Sequence, residues 1–245
     1  MMNLQNNQYG NVNQHADALP VSRTFVSGVF MWMFVALGIT ALTAWWFAST
    51  PALIQLLINP ETGGMSITGG IVMFAPLILV LVMSGGASRM SASTLLMIFI
   101  LFSVLMGASL SFILLTYTGA SIAKTFVITS GMFGVMAVVG YTTKTDLTRF
   151  GSIMFMGLIG IIIASLVNMF MHSGTMDYII SFLGVLIFTG LTAYDVQKIK
   201  RIGAQVDGYS TNDNVRKLML FGALSLYLDF INLFLFLLRF FGNRR

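Results

Sequence analysis

No cysteine occurs in this chain of 245 residues, which excludes disulfides, thiolate catalysis and cysteine-held metals or clusters. Charge is also scarce: 9% of the residues are Asp, Glu, Lys or Arg, against about 25% in soluble domains. The two histidines, His15 and His172, stand in a polar tail and near a helix end, with no partner at metal-ligand spacing. No phosphate loop, metal motif or nucleophile–base–orienter set is visible, so neither an enzyme nor a bound cofactor is expected. The net charge of +5 gathers at segment ends, where it speaks of membrane orientation rather than of a nucleic-acid partner.

What fills the chain is apolar: 57% of residues are hydrophobic and the mean hydropathy is +0.88. The apolar runs are continuous and about 20 residues long, which matches ~30 Å of hydrocarbon at ~1.5 Å per residue. A transmembrane barrel would instead show short alternating segments. The fold class expected is therefore an all-α integral membrane protein. Runs and breakers predict seven transmembrane helices, at 28–48, 70–84, 94–116, 123–141, 151–171, 178–198 and 216–240. Pro51, Asn59-Pro60 and Gly63-Gly64 break the long first connection.

Residues 1–22 read as a disordered polar N-terminal tail rich in Asn and Gln, 23–242 as the transmembrane domain, and 243–245 as a short basic tail. The first apolar run is too long for a signal-peptide core and more spans follow, so an uncleaved helix is expected. In the polar loop 203–214, Ser210, Thr211, Asn212 or Asp213 is placed to cap the last helix.

Seven spans put Arg23, Arg89, Lys144, Arg149, Lys198, Lys200, Arg201, Arg216 and Lys217 on one side, and Lys124, Arg239, Arg244 and Arg245 on the other. The richer side is expected to be cytoplasmic, together with the N-terminus. A last helix that dipped in and returned would make the charge count more lopsided still, but 218–238 is long enough to span. Ser103, Gly107 and Ser111 recur every four positions, as do Gly160, Ala164 and Asn168. That spacing lets helix backbones approach closely in lipid.

Against this background two acids stand out. Asp195 closes the run SFLGVLIFTGLTAYD, and Asp229 interrupts LMLFGALSLYLDFINLFLFLL. A charge at the centre of a bilayer costs at least ~2.5 kcal/mol, so such residues mark functional sites by default. Gly222, Ser225, Asp229 and Asn232 fall on one face of the last helix, and Thr192 shares a face with Asp195. If the two stripes meet, two carboxylates, an amide and two hydroxyls converge. Carboxylates in contact do not both ionise readily and titrate as a unit, holding one shared proton or attracting a cation. An oxygen-only donor set suits a hard ion such as Ca²⁺. Arg89 is a candidate latch for the carboxylates, or an ordinary interfacial anchor; Lys198, Lys200 and Arg201 read as anchors. Depth opposes pairing, because distances from the basic clusters would separate the aspartates by about 14 Å along the membrane normal. Residues alone leave the pair and two independent aspartates both open.

The stretch SLYLDFINLFLFLLRFFG (225–242) resembles the C-terminal signature of the Bax inhibitor-1 family of membrane proteins, and YDVQKIK (194–200) resembles that family's motif at the end of the sixth helix. The match extends loosely over 23–242. The resemblance implies a seven-transmembrane-helix bundle with a central last helix, and an aspartate pair carried onto Asp195 and Asp229 as gate and pH sensor. It also implies an arginine latch carried onto Arg89, although this chain lacks the basic cluster that bacterial relatives tend to have there. Family members are described as pH-sensitive calcium leak channels, as suppressors of cell death, or as modulators of a membrane protease.

The function expected is thus a pH-sensitive Ca²⁺ leak through the membrane, gated by Asp195 and Asp229 as a transient Ca²⁺ site, with Arg89 as latch and Thr192, Ser225 and Asn232 in support. A cation/proton exchanger and a non-transporting regulator that binds a membrane protease or another membrane partner are the alternatives. A retinal photoreceptor is disfavoured by the absence of lysine from 218–238, and an intramembrane aspartic protease by the absence of a GxGD motif. The location expected is a bacterial plasma (inner) membrane.

Overall fold

The computed structural model describes residues 10–59, 63–86, 88–206 and 213–244, with side chains from Arg23 onward. Residues 1–9 of the expected tail and the candidate caps Ser210, Thr211 and Asn212 lie outside these. Among the described residues eight helices follow one another: α1 (Gly10–Ser49), α2 (Pro51–Leu57), α3 (Ile67–Gly86), α4 (Ala92–Thr116), α5 (Gly119–Thr142), α6 (Thr148–Met171), α7 (Gly174–Gln205) and α8 (Asp213–Phe241). Seven of them are long and apolar enough to cross a membrane. The eighth, α2, falls in the first connection, which the breakers had suggested was irregular. Pro51 occupies its first turn, where a missing N–H costs nothing.

Local chemistry sets several ends. Ser91, Thr118 and Ser173 cap α4, α5 and α7 by accepting the backbone N–H three residues on. His172 closes α6 in a left-handed conformation, with φ of 51°. Asp213, one of the expected caps for α8, is its first residue; its carboxylate accepts the N–H of Ala92 at 2.8 Å and so ties the start of α8 to the start of α4. At the other end, Thr118 N–H donates to the carbonyl of Asn243 at 3.2 Å. One unbroken α8 therefore runs the whole length of α4, which rules out the re-entrant alternative.

α8 is the centre of the bundle. In its most apolar stretch 61% of the residues are buried, against 11% for α6. It packs on α1, α4, α5 and α7, while α3 leans on α4 and α6 on α7. Apolar burial does not by itself draw helices together in lipid, so close packing and polar bonds must do so. Both are present. Gly107 lets α4 meet α1 so closely that an added Cβ would lie 2.5 Å from the Thr40 carbonyl oxygen. Just there, the Thr40 hydroxyl donates to the Ser103 carbonyl at 2.9 Å and meets the Tyr227 hydroxyl at 2.7 Å. Tyr227 is fully buried, edge-on to Phe102 at 5.2 Å, so this network joins α1, α4 and α8. The stripe of Gly160, Ala164 and Asn168 behaves otherwise. Gly160 is exposed with open space around it, whereas Asn168 at the other end of the stripe is buried.

Because α3 and α6 each lean on a different neighbour, the seam between α7 and α8 is left uncovered by helix on the side between them. Asp195, Ser225, Asp229 and Asn232 lie on that seam.

Candidate functional site

α7 and α8 run antiparallel and pack along their lengths. Gly184 allows this at one end, where Phe236 lies against it closely enough that an added Cβ would sit 2.6 Å from the ring. Further along, Ser225 of α8 donates a short hydrogen bond to Asp195 Oδ2 of α7. Asp229 follows Ser225 by one helical turn, and its side chain is 5% exposed. No hydrogen-bond donor reaches its Oδ2. An unpaired buried oxygen of this kind is costly unless it holds a proton or meets a cation.

Two cavities adjoin the seam. The larger, about 1030 Å³, lies between α6, α7 and α8 and is lined by Asp195, Ser225, Asp229 and Asn232 among apolar side chains such as Ile162 and Met169. The smaller, about 400 Å³, lies between α3, α7 and α8 and reaches Ile202 and Leu218. Asp195, Lys198, Ser225 and Leu228 line both. Among the described residues no three His, Asp or Glu side chains converge as a metal cage. The oxygen donors present are two carboxylates, a hydroxyl and an amide, the ligand types that hard cations accept.

The aspartates are thus brought to one cavity, and the depth objection dissolves for a structural reason. α7 does not end at its basic cluster but continues to Gln205. Since Ser225 reaches Asp195, Asp229 lies only about 6 Å further along the α8 axis, one turn of rise. Asn232 lines the large cavity while its amide donates to the Leu228 carbonyl at 2.8 Å. Thr192 is buried, but its hydroxyl donates within α7 to the Phe188 carbonyl at 2.8 Å and it lines neither cavity.

Arg89 is placed differently from the expected latch. It is exposed beyond the end of α3, lines neither cavity and makes no ion pair among the described residues. The cation at the site is Lys198, expected to be an anchor, which follows Asp195 by three residues and shares its face of α7. Spacing was the available signal, but proximity to Lys200 and Arg201 masked it.

Those two neighbours hold the turn between α5 and α6. Lys200 Nζ donates to the Tyr141 carbonyl at 2.6 Å and sits 5.0 Å from that ring's centroid. Arg201 pairs with Asp146 at 2.6 Å. Buried Gln197 completes the strap, accepting from Leu147 N–H at 2.9 Å and donating to the Thr145 carbonyl at 2.8 Å. The Thr148 hydroxyl and amide, with Arg201, hold the Asp146 carboxyl well below the usual carboxylate range. At the opposite end Arg239 pairs with Asp177, whose carboxylate also accepts from Asn168 Nδ2 at 2.5 Å. Sequence reading missed this cluster, having taken Asn168 for a packing residue. The site therefore lies between a strap at one end of α7 and an ion pair at the other.

The family model described as "Inhibitor of apoptosis-promoting Bax1" matches residues 22–245. The chain is 49% identical over 223 residues to the Escherichia coli K12 protein "Inner membrane protein YbhL", covering 91% of this chain and 93% of that one. It is 45% identical to a protein of Rickettsia prowazekii, with 91% of both chains covered. A protein of Borreliella burgdorferi shares 42% identity across 96% of this chain and 98% of its own. With the family match spanning nearly all of the bundle, including both aspartates, the chain belongs to the Bax inhibitor-1 family of membrane proteins.

Proposed function

We propose that this protein is a proton-gated Ca²⁺ leak of the bacterial inner membrane, with Asp195 and Asp229 as gate and pH sensor. The observation that carries the reading is the Asp229 carboxyl, buried in the bundle with an oxygen that no donor satisfies, beside a cavity it shares with Asp195. In a low-dielectric interior two carboxylates at one cavity do not both ionise readily, so the loss of a proton there is coupled between them. With the proton in place the pair is compact and uncharged enough to pack. Its loss leaves like charges that separate or draw in a divalent cation from either cavity. Ser225 and Asn232 supply the neutral oxygens that accompany such an ion.

Nine basic residues from Arg23 to Lys217 gather at the end of the bundle where Lys198 lies, so that end and the N-terminus face the cytoplasm. The name of the Escherichia coli relative supports the inner membrane as the location. The test is Ca²⁺ entry into dye-loaded proteoliposomes, with Asp229→Asn as comparison. Flux that is unchanged in amount and in pH dependence by that substitution would refute the gate. Simultaneous proton movement against Ca²⁺ would convert the leak into an exchanger. Folded protein with no flux, but with co-purification of a membrane protease that survives Asp229→Asn, would make the chain a regulator instead.

A further inference from the structure

The large cavity is a long groove. Its lining on α6 runs from Gly151 to Met169, about 27 Å at ~1.5 Å per residue. α6 leans on α7 and does not pack along α8, and its residues Ile162, Leu166 and Met169 line the groove while more than half exposed. Within a membrane span that exposure is to lipid, so the groove opens sideways into the bilayer. Its polar groups sort into two sets. Toward Gly151, against which the Tyr194 ring packs, stand Tyr194 and Lys198, which can donate. Around Asp229, among the described residues, the groove offers oxygens whose protons are spent or missing. The Ser225 hydroxyl donates to Asp195, and the Asn232 amide nitrogen donates to the Leu228 carbonyl at 2.8 Å. One Asp229 oxygen meets no donor, although that residue is only 5% exposed. Further along the lining turns apolar. Phe236 follows Asp229 by two helical turns and stacks on Phe188 at 5.8 Å, and the Ser165 hydroxyl is spent on the Ile161 carbonyl at 2.7 Å. Carboxylate, amide and hydroxyl oxygens in one place suit a ligand head that only donates, and a primary ammonium has three donors and no acceptor. An alcohol would bring an acceptor with no donor to meet it, and a carboxylate or phosphate would face Asp229 as a like charge.

We propose that the groove is a binding site for membrane-partitioned primary amines, with the ammonium on Asp229, Asn232 and Ser225 and the apolar body along Phe236 toward Met169. A buried pair of charges is held only where further hydrogen bonds satisfy it, and here three N–H groups meet three oxygens. Lys198 keeps the ammonium from the Asp195 end by like charge. Met156 and Met169, unbranched and polarisable, let the wall adapt to apolar bodies of different shape. The site goes beyond the leak reading and stands without it, since an amine is held there whether or not ions pass.

The probe is radiolabelled dodecylamine, a primary amine protonated at about pH 7 as a lysine side chain is. Its retention by the full chain in phosphatidylcholine nanodiscs is read after subtracting that of empty nanodiscs. Wild type is expected to bind saturably, and Asp229→Asn about tenfold more weakly, the effect of losing one hydrogen bond to a charged group. Unlabelled dodecyltrimethylammonium has the charge and the chain without the N–H groups and should compete about tenfold less well than unlabelled dodecylamine. Laurate should not compete. Ile162→Trp fills the groove from a lipid-facing position and should weaken binding, whereas Ile163→Trp, exposed but outside the groove, should not. Those two variants leave the buried acid in place, so they decide the matter even if Asp229→Asn does not fold. Folded wild type without saturable binding, or folded Asp229→Asn binding as tightly as wild type, would overturn the proposal. So would dodecyltrimethylammonium or laurate competing as well as the amine, or the two tryptophan variants binding alike. Calcium flux separates the two ideas. Amine binding by a protein that passes no Ca²⁺ upholds the groove and removes the leak, whereas flux without amine binding upholds the leak and removes the groove.

Discussion

Ser225 donates to Asp195 across the α7–α8 seam, while Asp229, one turn further along α8, keeps a buried oxygen with no donor. The two acids of the transmembrane core are therefore not equivalent. Asp195 is half-buried beside Lys198. Asp229 is enclosed and depends on its own proton or a cation for satisfaction. Asp229→Asn replaces a lone acid by a neutral amide of the same size and is expected to leave the fold stable, or more so. Asp195→Asn weakens the Ser225 bond. Thermal unfolding in detergent should place Asp229→Asn at or above wild type and Asp195→Asn below it.

Close helix approach is a second point of leverage. A Cβ on Gly140 would lie 2.2 Å from the Ala193 carbonyl oxygen, whereas one on Gly134 of the same helix meets nothing within 4 Å. Gly→Ala in a helix gains up to about 1 kcal/mol in propensity, but overpacking costs about 1–3 kcal/mol. Gly134→Ala should thus raise the unfolding midpoint slightly and Gly140→Ala should lower it. Two midpoints that move together would contradict the packing seen between α5 and α7.

The network at Tyr227 allows a graded comparison. Tyr227→Phe removes one hydroxyl, keeps the ring against Phe99 and Phe102, and leaves Thr40 bonded to the Ser103 carbonyl. Its cost is about 0.5–1.5 kcal/mol. Thr40→Val strands the buried Tyr227 hydroxyl as well and should cost more, about 1–3 kcal/mol. Chemical or thermal unfolding of the two variants in one detergent would rank them.

Outside the membrane-spanning segments, Asp146 gives a pH dependence of defined sign. Its carboxyl is held low by Thr148 and Arg201 when folded and returns to about 3.9 on unfolding. A group whose folded value is depressed stabilises the fold above its unfolded value and loses that contribution as pH falls. Lowering the pH from about 5 toward 3 should therefore destabilise wild type more than Asp146→Asn. Parallel curves would show that the strap at Arg201 contributes nothing to stability.

Much of this architecture was legible in the chain because lipid imposes long apolar runs, and such runs are hard to mistake. The polar stripe of Ser225, Asp229 and Asn232 was visible for the same reason, since few polar residues interrupt α8. What escaped was decided by tertiary geometry. Lys198 looked like Lys200 and Arg201 in sequence, yet one faces the cavities and the others bind the α5–α6 turn. Asn168 carried small-residue spacing, but its amide was committed to Asp177. Arg89 had the right chemistry for a latch and the wrong position, beyond the end of α3. Spacing along one helix says which residues share a face, and only packing says what that face meets.

The most direct test of the aspartate gate is Ca²⁺ flux into dye-loaded proteoliposomes between about pH 6 and about pH 8, since carboxylates that share a site titrate as a unit. Wild type, Asp195→Asn and Asp229→Asn would be compared with empty liposomes. The account predicts a wild-type leak that rises with pH, as deprotonation opens the pair, and a pH profile that either substitution flattens or shifts. Folded wild-type protein that passes no more Ca²⁺ than empty liposomes at any pH, or a pH-dependent leak identical in all three proteins, would contradict it.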